Sequence, residues 1–566
     1  MFKFLCIILM CFTVMITHAQ NLDKIGKKDM VTIHGGLNLN SILYQSNGID
    51  ARRQPFTWYA NGNLTVNVLD VSLPFNYSYS NNQGKFTQPF NMTNCTPTYK
   101  WIKGYAGFNS MTFSNYTLAG HIFLGGGLEL TPKKWKIAAM YGRLKKAVPY
   151  DILNSNDNDM SYKRMGYGAK IGYDGEKFAV HLIYFSAKDD IKSIPFYPPV
   201  TQITPQANTV ISAIGKIKLA KFWSIEAEYA LSGLNKNLLA TEGTFNNSKY
   251  KLPFINNQIG NVQFFSAYKS SLSYTHKIFN VGFNYEHVDP DYKTLGAYFF
   301  NNDLENYTIS TAWRFLKSKL NISTNTGLQK NNLDNSKLST TKRWVGSING
   351  TYSPNTKWNF STSYSNFSTY TNVRPISDPY YIKTAADTLN FYQLTQNATA
   401  SINYNFGKKK AKQGIMFATN FQTTGDKTGN VANVPSQLIN GNLGYSFAWT
   451  PTKTSATLSF NYNHSYIQKT KNIYFGPNLS ISQNIAKNKV RLTLGGSYNQ
   501  VINNGFTNSK VINSRFSLAY NPKLKNEKLG KPTLSVNCAY INKLAAIQQV
   551  KSFNELTTTF NLGYTF

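Results

Sequence analysis

Residues Glu555–Phe566 read ELTTTFNLGYTF, and the alternation within them decides the fold. Leu556, Thr558, Phe560, Leu562, Tyr564 and Phe566 share one parity; Glu555, Thr557, Thr559, Asn561, Gly563 and Thr565 share the other. Side chains of a β-strand point alternately to opposite faces, so this stretch is a strand with one greasy face and one polar face. The same two-faced pattern recurs upstream. In Lys221–Ala230, Trp223, Ile225, Ala227 and Tyr229 oppose Ser224, Glu226 and Glu228. In Thr454–Asn463, Ala456, Leu458, Phe460 and Tyr462 oppose Thr457, Ser459, Asn461 and Asn463; in Lys489–Tyr498, Val490, Leu492 and Leu494 oppose Arg491 and Thr493.

The totals fit one large sheet better than several soluble domains. Charged residues make up only 15% of the 566, while Tyr and Phe number 37 each, a low charge density for a water-facing surface. Mean hydropathy is −0.34, and no segment after the first twenty residues reaches the ~18 consecutive apolar residues of a helical span. A barrel wall has such an average because half of each strand faces lipid and half faces water. The net charge of +33 points to anionic partners in general. The lysines recur in short clusters rather than in one basic stripe, which argues against nucleic acid.

MFKFLCIILMCFTVMITHAQ combines Lys3, a short apolar run and the small-residue pattern around Thr17 and Ala19. It reads as a secretory signal covering residues 1–19, with the mature chain 20–566 forming a single domain. Cys95 and Cys538 then remain; two unpaired thiols are expected, and the spacing suits no metal.

After Gln20 one layout repeats: an alternating run, a short Lys-bearing turn, a second run, then a longer Asn/Ser/Gly-rich connection. The turns include Thr131–Lys134, Tyr173–Lys177, Leu316–Lys319, Gly407–Lys412 and Ile485–Lys489; the long connections include Lys145–Ser161, Asp189–Pro205, Ser232–Asn257, Asp289–Asn302 and Thr369–Asp387. Trp135, Trp223, Trp313, Trp358 and Trp449, five of the eight tryptophans, sit beside short turns. Indole and phenol rings favour the membrane–water boundary, so this is the pattern of an aromatic girdle. A soluble sandwich explains strands and turns but not aromatics gathered at one end of each pair. The expected fold is therefore an all-β transmembrane antiparallel barrel of about 24 strands (range 22–26), with short periplasmic turns and long extracellular loops. Keeping the count even places residues 81–115 in a loop that folds into the lumen. No globular plug precedes the first strand near Val31, which argues against an energised plug-gated receptor.

A barrel closes by pairing its last strand with its first. Tyr564 and Phe566 resemble the assembly signal of bacterial outer-membrane barrels, an aromatic end with a hydrophobic residue two positions before it, although Gly563 lies later than that pattern's glycine. The Asn-, Tyr- and Lys-rich style resembles barrels of the Bacteroidota. The resemblance implies the cell outer membrane, with its lipid and lipopolysaccharide and the barrel-assembly machinery as partners, besides a solute or protein partner.

Strand parity points Arg164, Lys170, Lys216, Lys218, Glu129, Glu226, Glu228, Glu286, Arg314, Arg491 and Arg515 inward. Ionisable groups at membrane depth persist where water or partners meet them, so these charges either select solutes or pair across strands and stiffen the wall. Rival sites are weaker. Gly125–Gly127 lacks the Lys-Ser/Thr of a phosphate loop and reads as a place of close packing. Asp189-Asp190 and His287–Asp291 resemble the acidic pairs and His of omptin proteases, or a calcium loop, but Asp and Pro are ordinary loop residues. Pro195–Val200 and Asp378–Lys383 carry aromatics suited to packing or to stacking on sugars. No catalytic residue, cofactor or metal is expected. The reading is a pore selecting by size and charge. The rival is a scaffold barrel of a secretion, motility or assembly complex; a fatty-acid-type transporter would need an apolar lumen.

Overall fold

The computed structural model describes residues 31–81, 91–149, 160–194, 203–240, 262–336, 340, 342–366, 394–425, 436–467, 470–522, 530–547 and 550–566. The expected signal segment 1–19 and the two aromatic loop motifs, Pro195–Val200 and Asp378–Lys383, lie outside them.

The strands are β1 (Val31–Asn47), β2 (Phe56–Val68), β3 (Val71–Ser80), β4 (Met92–Cys95), β5 (Thr98–Tyr99), β6 (Ile102–Thr112), β7 (Ala119–Leu130), β8 (Trp135–Lys145) and β9 (Lys163–Asp174). Next come β10 (Phe178–Asp190), β11 (Ala207–Lys218), β12 (Trp223–Asn235), β13 (Val262–Thr275), β14 (Phe279–Val288), β15 (Leu304–Phe315), β16 (Leu320–Lys330), β17 (Lys342–Tyr352) and β18 (Trp358–Ser365). The last are β19 (Leu394–Gly407), β20 (Ala411–Gly425), β21 (Ser436–Trp449), β22 (Thr454–Ile467), β23 (Thr470–Ile485), β24 (Val490–Asn503), β25 (Phe506–Tyr520), β26 (Lys531–Ala545) and β27 (Phe553–Thr565). Apart from β4 and β5, which do not pair with each other, each pairs antiparallel with its sequence neighbours. β4 and β5 share one position between β3 and β6, so the wall has 26 strands. A circular wall of that size, at ~4.8 Å between strands and a tilt of ~40°, would be about 50 Å across.

The strand number exceeds the expected 24 because residues 81–115 do not form one loop inside the barrel. Met92–Cys95, Thr98–Tyr99 and Ile102–Thr112 enter the wall. Pro97, which has no amide hydrogen to offer a ladder, interrupts the first of these two wall positions; Gly104, Ala106 and Gly107 weaken the alternation of the second.

Closure is direct. β27 pairs with β1 from Gly36↔Thr565 to Asn47↔Asn554. Gly35 N donates to Phe566 O at 2.9 Å, and Phe566 N donates back to Gly35 O at 3.0 Å. A Cβ on Gly35 would lie 2.6 Å from Asn63 O and 3.0 Å from the Phe566 ring, so glycine is needed at this seam. At the other end of the seam, Glu555 is buried on the inner face, where it accepts from the Tyr44 hydroxyl and meets Arg52 at 3.5 Å.

The two faces of the wall differ throughout. Leu182, Leu458 and Leu494 are 60%, 53% and 52% exposed on the outward face, and their cross-strand partners Ile171, Leu479 and Phe516 are exposed beside them. Near the short turns the outward aromatics touch one another. Trp135 meets Tyr173 (ring centroids 5.3 Å), Trp223 meets Tyr274 (5.0 Å), Phe279 stacks on Trp313 (4.9 Å) and Trp358 on Tyr404 (4.3 Å). The inner face of β18–β27 is instead a ladder of neutral polar pairs. Ser361–Ser401, Asn420–Asn397, Ser497–Asn513, Ser517–Asn537 and Ser535–Asn561 hydrogen-bond at 2.6–3.0 Å. Cys95 and Cys538 are free thiols.

Candidate functional site: a strap across the lumen

The inner face of the first half of the wall is covered by two connections that turn inward. The short one, residues 113–118, joins β6 to β7. The longer one, residues 289–303, joins β14 to β15 and crosses beneath β13, β12, β11 and β10. We call the second the strap.

The strap is rich in apolar side chains where a solvated loop would carry polar ones: Leu295, Tyr298, Phe299 and Phe300 fall within seven residues of Thr294. Leu295 is buried with Met111, Phe113, Leu118, Phe123, Met140, Leu144, Ile183 and Phe185. Tyr292 is buried with Tyr116, Val210, Ala230, Ala267 and Val288, and with Phe300 against it. Glycines admit this packing. A Cβ on Gly296 would sit 2.8 Å from the Phe185 ring and 2.7 Å from Thr117 O. The Gly125–Gly127 run serves the same layer: Gly127 makes room for the Met111 thioether, and Gly125 lets its strand approach the Tyr141 carbonyl.

Hydrogen bonds hold the strap from both ends. Thr294 Oγ1 donates to Thr117 O at 2.6 Å and the Tyr292 hydroxyl to Tyr116 O at 2.8 Å. Ala119 N donates to Gly296 O at 3.0 Å. On the wall, Ser232 Oγ (2.7 Å) and Asn208 Nδ2 (3.3 Å) donate to Lys293 O, while Leu295 N donates to Asn208 Oδ1 at 3.1 Å. Tyr298 stacks on His121 (4.1 Å), and its hydroxyl accepts from Ile122 N. A buried backbone without partners is costly, and these bonds pair the strap where it lies deepest. Burial pushes the Tyr292 and Tyr116 hydroxyls well above the usual phenol range, the latter also because the Glu286 carboxylate faces it, so both remain neutral donors. Burial lowers the Lys293 ammonium, and Arg164 nearby lowers it further.

The eleven charges expected to line the lumen share the inner face of the sheet with these clusters, by register. Eight come from the strap-covered half, and most are engaged. Arg164 grips Asp189 with two bonds of 2.7 and 2.9 Å, and Asp189 also accepts from Gln206 N. Lys170 donates to Phe113 O at 3.0 Å. Lys216 meets Glu226 at 3.4 Å, and Lys269 meets the buried Glu228 at 3.3 Å. Glu286 accepts from the Tyr116 hydroxyl at 2.7 Å and from Asn306 at 3.2 Å. Arg491 donates to Ser482 at 2.8 Å. Among the described residues no carboxylate lies in ion-pair range of Lys218, Arg314, Arg491 or Arg515. The structure therefore separates the list: Arg164, Glu228 and Glu286 brace the wall and the strap, whereas the arginines of β24 and β25 stand among neutral amides and hydroxyls. Tyr564 and Phe566 lie on the outward face at the seam, their rings 5.7 Å apart.

The rival sites are taken up by pairing within the wall and its loops. Asp189 is neutralised by Arg164, and Asp190 caps a 3-10 turn through Lys192 N. His287 faces outward against Tyr268 and does pair with Asp289 at 3.0 Å, but Asp289 is also tied to the Ser266 amide and hydroxyl, and Asp291 turns away to Lys236. Among the described residues no group of His, Cys, Asp and Glu is arranged to hold a metal. The strap itself was missed by sequence reasoning; the run Thr294–Phe300, too apolar for an exposed connection, was its signal.

No protein-family model and no curated protein matches the chain. Among solved structures it is similar in fold to the P pilus usher (PapC) translocation pore, with 11% identity, TM-score 0.37, and 94% of this chain and 98% of that chain covered. It is also similar to the ferric enterobactin receptor PfeA of Pseudomonas aeruginosa (9%, TM-score 0.42, 94% and 80%) and to OccAB4 of Acinetobacter baumannii (9%, TM-score 0.28, 69% and 97%).

Proposed function

We propose that this chain is an outer-membrane pore, a closed barrel that passes polar solutes and is narrowed by its strap. The observation that carries this reading is the contrast between the wall's faces: exposed leucine and aromatic side chains outside, hydrogen-bonded Asn, Ser and Thr inside. Monomeric soluble proteins rarely expose apolar patches beyond a few hundred Å², whereas here the apolar band follows the strands around the wall. The inner face of β18–β27, neutral amides and hydroxyls with Arg491 and Arg515, suits hydrated solutes, neutral or anionic, while the apolar inner side chains of the other half are packed against the strap rather than open to a fatty acyl chain. The charges among these amides set selectivity; the paired ones hold the strap in place.

Purified protein in a planar bilayer is expected to give steady ion-conducting steps with a preference for anions. A second reading, a scaffold barrel with a filled lumen, is favoured by the strap's dense packing. It predicts a silent bilayer and a protein partner that stays bound through purification.

The membrane reading also fixes which substitutions the wall tolerates. Leu458 faces outward near mid-wall, so Leu458→Arg is expected to cost about 2–4 kcal/mol in a bilayer. Ser459→Arg, one residue along and facing the lumen, is expected to cost far less. Denaturant titration of folding into lipid vesicles measures both; equal costs would remove the distinction between the faces.

A further inference from the structure

The two rims of the barrel carry opposite charge economies. Eleven turns, from Leu69-Asp70 to the segment 486–489, lie fully within the described residues at one rim. They contain fifteen lysines and two carboxylates, Asp70 and Glu176. The thirteen connections at the opposite rim, read from the sequence, contain fifteen basic residues and twelve carboxylates. The cations of the loop rim are thus nearly balanced by carboxylates, whereas those of the eleven turns are not. Of its described lysines, only Lys134 has a carboxylate in ion-pair range, Glu176 at 3.8 Å.

The backbone shows that these lysines are not incidental. Lys100, Lys133, Lys317, Lys453 and Lys487 occupy the left-handed region, with φ between 49° and 56°. Glycine or asparagine fits that conformation with less strain, as Asn488 does at φ 67° beside Lys487. Lysine therefore occupies positions where local geometry favours other residues. The lysines also lie against the aromatic belt: Lys100 Nζ is 5.1 Å from the Tyr99 ring, and Lys221 Nζ is 5.5 Å from the Phe222 ring. An ammonium held over a rim aromatic stays at the boundary between the apolar wall and the polar layer outside it, where headgroups lie.

We infer that the turn rim is a binding collar for anionic phospholipid headgroups. Ten consecutive turns, from the one holding Lys100 to the one holding Lys487 and Lys489, each carry at least one lysine. That distribution matches a lipid annulus, whereas a single acidic protein would meet its complement on one arc. The phosphate of each headgroup accepts from the ammonium groups while the acyl chains cover the aromatics. The inference rests on the membrane reading above, and its test separates the two.

The protein is reconstituted in phosphatidylcholine vesicles, and spin-labelled phosphatidylglycerol is compared with spin-labelled phosphatidylcholine for the motionally restricted lipid shell. We expect phosphatidylglycerol to be preferred about five-fold for each lysine a headgroup engages, with the preference fading at high salt. It should shrink in a variant carrying Lys317→Gln, Lys319→Gln, Lys408→Gln, Lys409→Gln, Lys410→Gln, Lys487→Gln and Lys489→Gln, but not in a loop-rim control with Lys192→Gln and Lys551→Gln. A folded, incorporated protein with no lipid preference, or one whose preference survives the glutamines, overturns the collar and leaves the barrel standing. Salt-sensitive capture of polyglutamate with a flat lipid response would assign the rim to an acidic protein and likewise overturn it. Failure to enter vesicles at all would overturn the membrane reading along with the collar.

Discussion

Arg164→Met is expected to destabilise the folded barrel by about 3–5 kcal/mol, the cost of leaving a buried carboxylate without its counter-charge. Arg164 and Asp189 are 9% and 3% exposed at their side chains. They join the start of β9 to the end of β10 through two parallel bonds. Once the guanidinium is gone, Asp189 is left with the Gln206 amide, which brings no positive charge. Lysine is a poor substitute because one ammonium cannot make the two-pronged contact. The double variant Arg164→Met/Asp189→Leu should recover much of the loss, since well-packed apolar residues often replace a buried pair at little cost. Urea titration of the vesicle-embedded protein reads all three. A single variant as stable as the parent would show that the pair is solvated and braces nothing.

Leu295→Asp is expected to release the strap and raise single-channel conductance several-fold. Leu295 is 1% exposed in the cluster that closes over β7, β8 and β10, and an unpaired charge is not tolerated there. The wall's own ladders do not pass through Leu295, so the barrel should still fold and remain heat-modifiable on gels. What changes is the cross-section available to ions and the access of protease to the connection between β14 and β15. Unchanged conductance with a cleaved strap would mean that the strap does not limit the pore.

These expectations show where the sequence was legible. Two-residue alternation is a local signal, so Leu458, Phe460 and Tyr462 could be set against Ser459 and Asn461 without any tertiary information. Register then carried that parity to Arg164, Glu228 and Arg515. The strand number was harder. Pro97 splits one wall position into two short pieces, and the small residues of Ile102–Thr112 blur its two faces, so local pattern alone could not claim them. The strap was harder still. Its fold depends on contacts between residues 292–298 and residues 116–122, about 170 positions away, and on Asn208 and Ser232 in the wall between. Whether an inward charge is paired is likewise decided by its neighbours. Lys216 has Glu226 across the ladder, whereas Arg491 has Asn484 and Ala519.

The central claim is that a cylinder wall of this chain meets hydrocarbon on one side and water on the other. Spin labels placed singly at residues 457 to 462 of β22, in protein reconstituted in a bilayer, test it most directly through paramagnetic accessibility. The account predicts a two-residue period: oxygen, concentrated in lipid, reaches labels at Leu458, Phe460 and Tyr462, and a water-soluble nickel chelate reaches those at Thr457, Ser459 and Asn461. Equal chelate access at all six positions would contradict it.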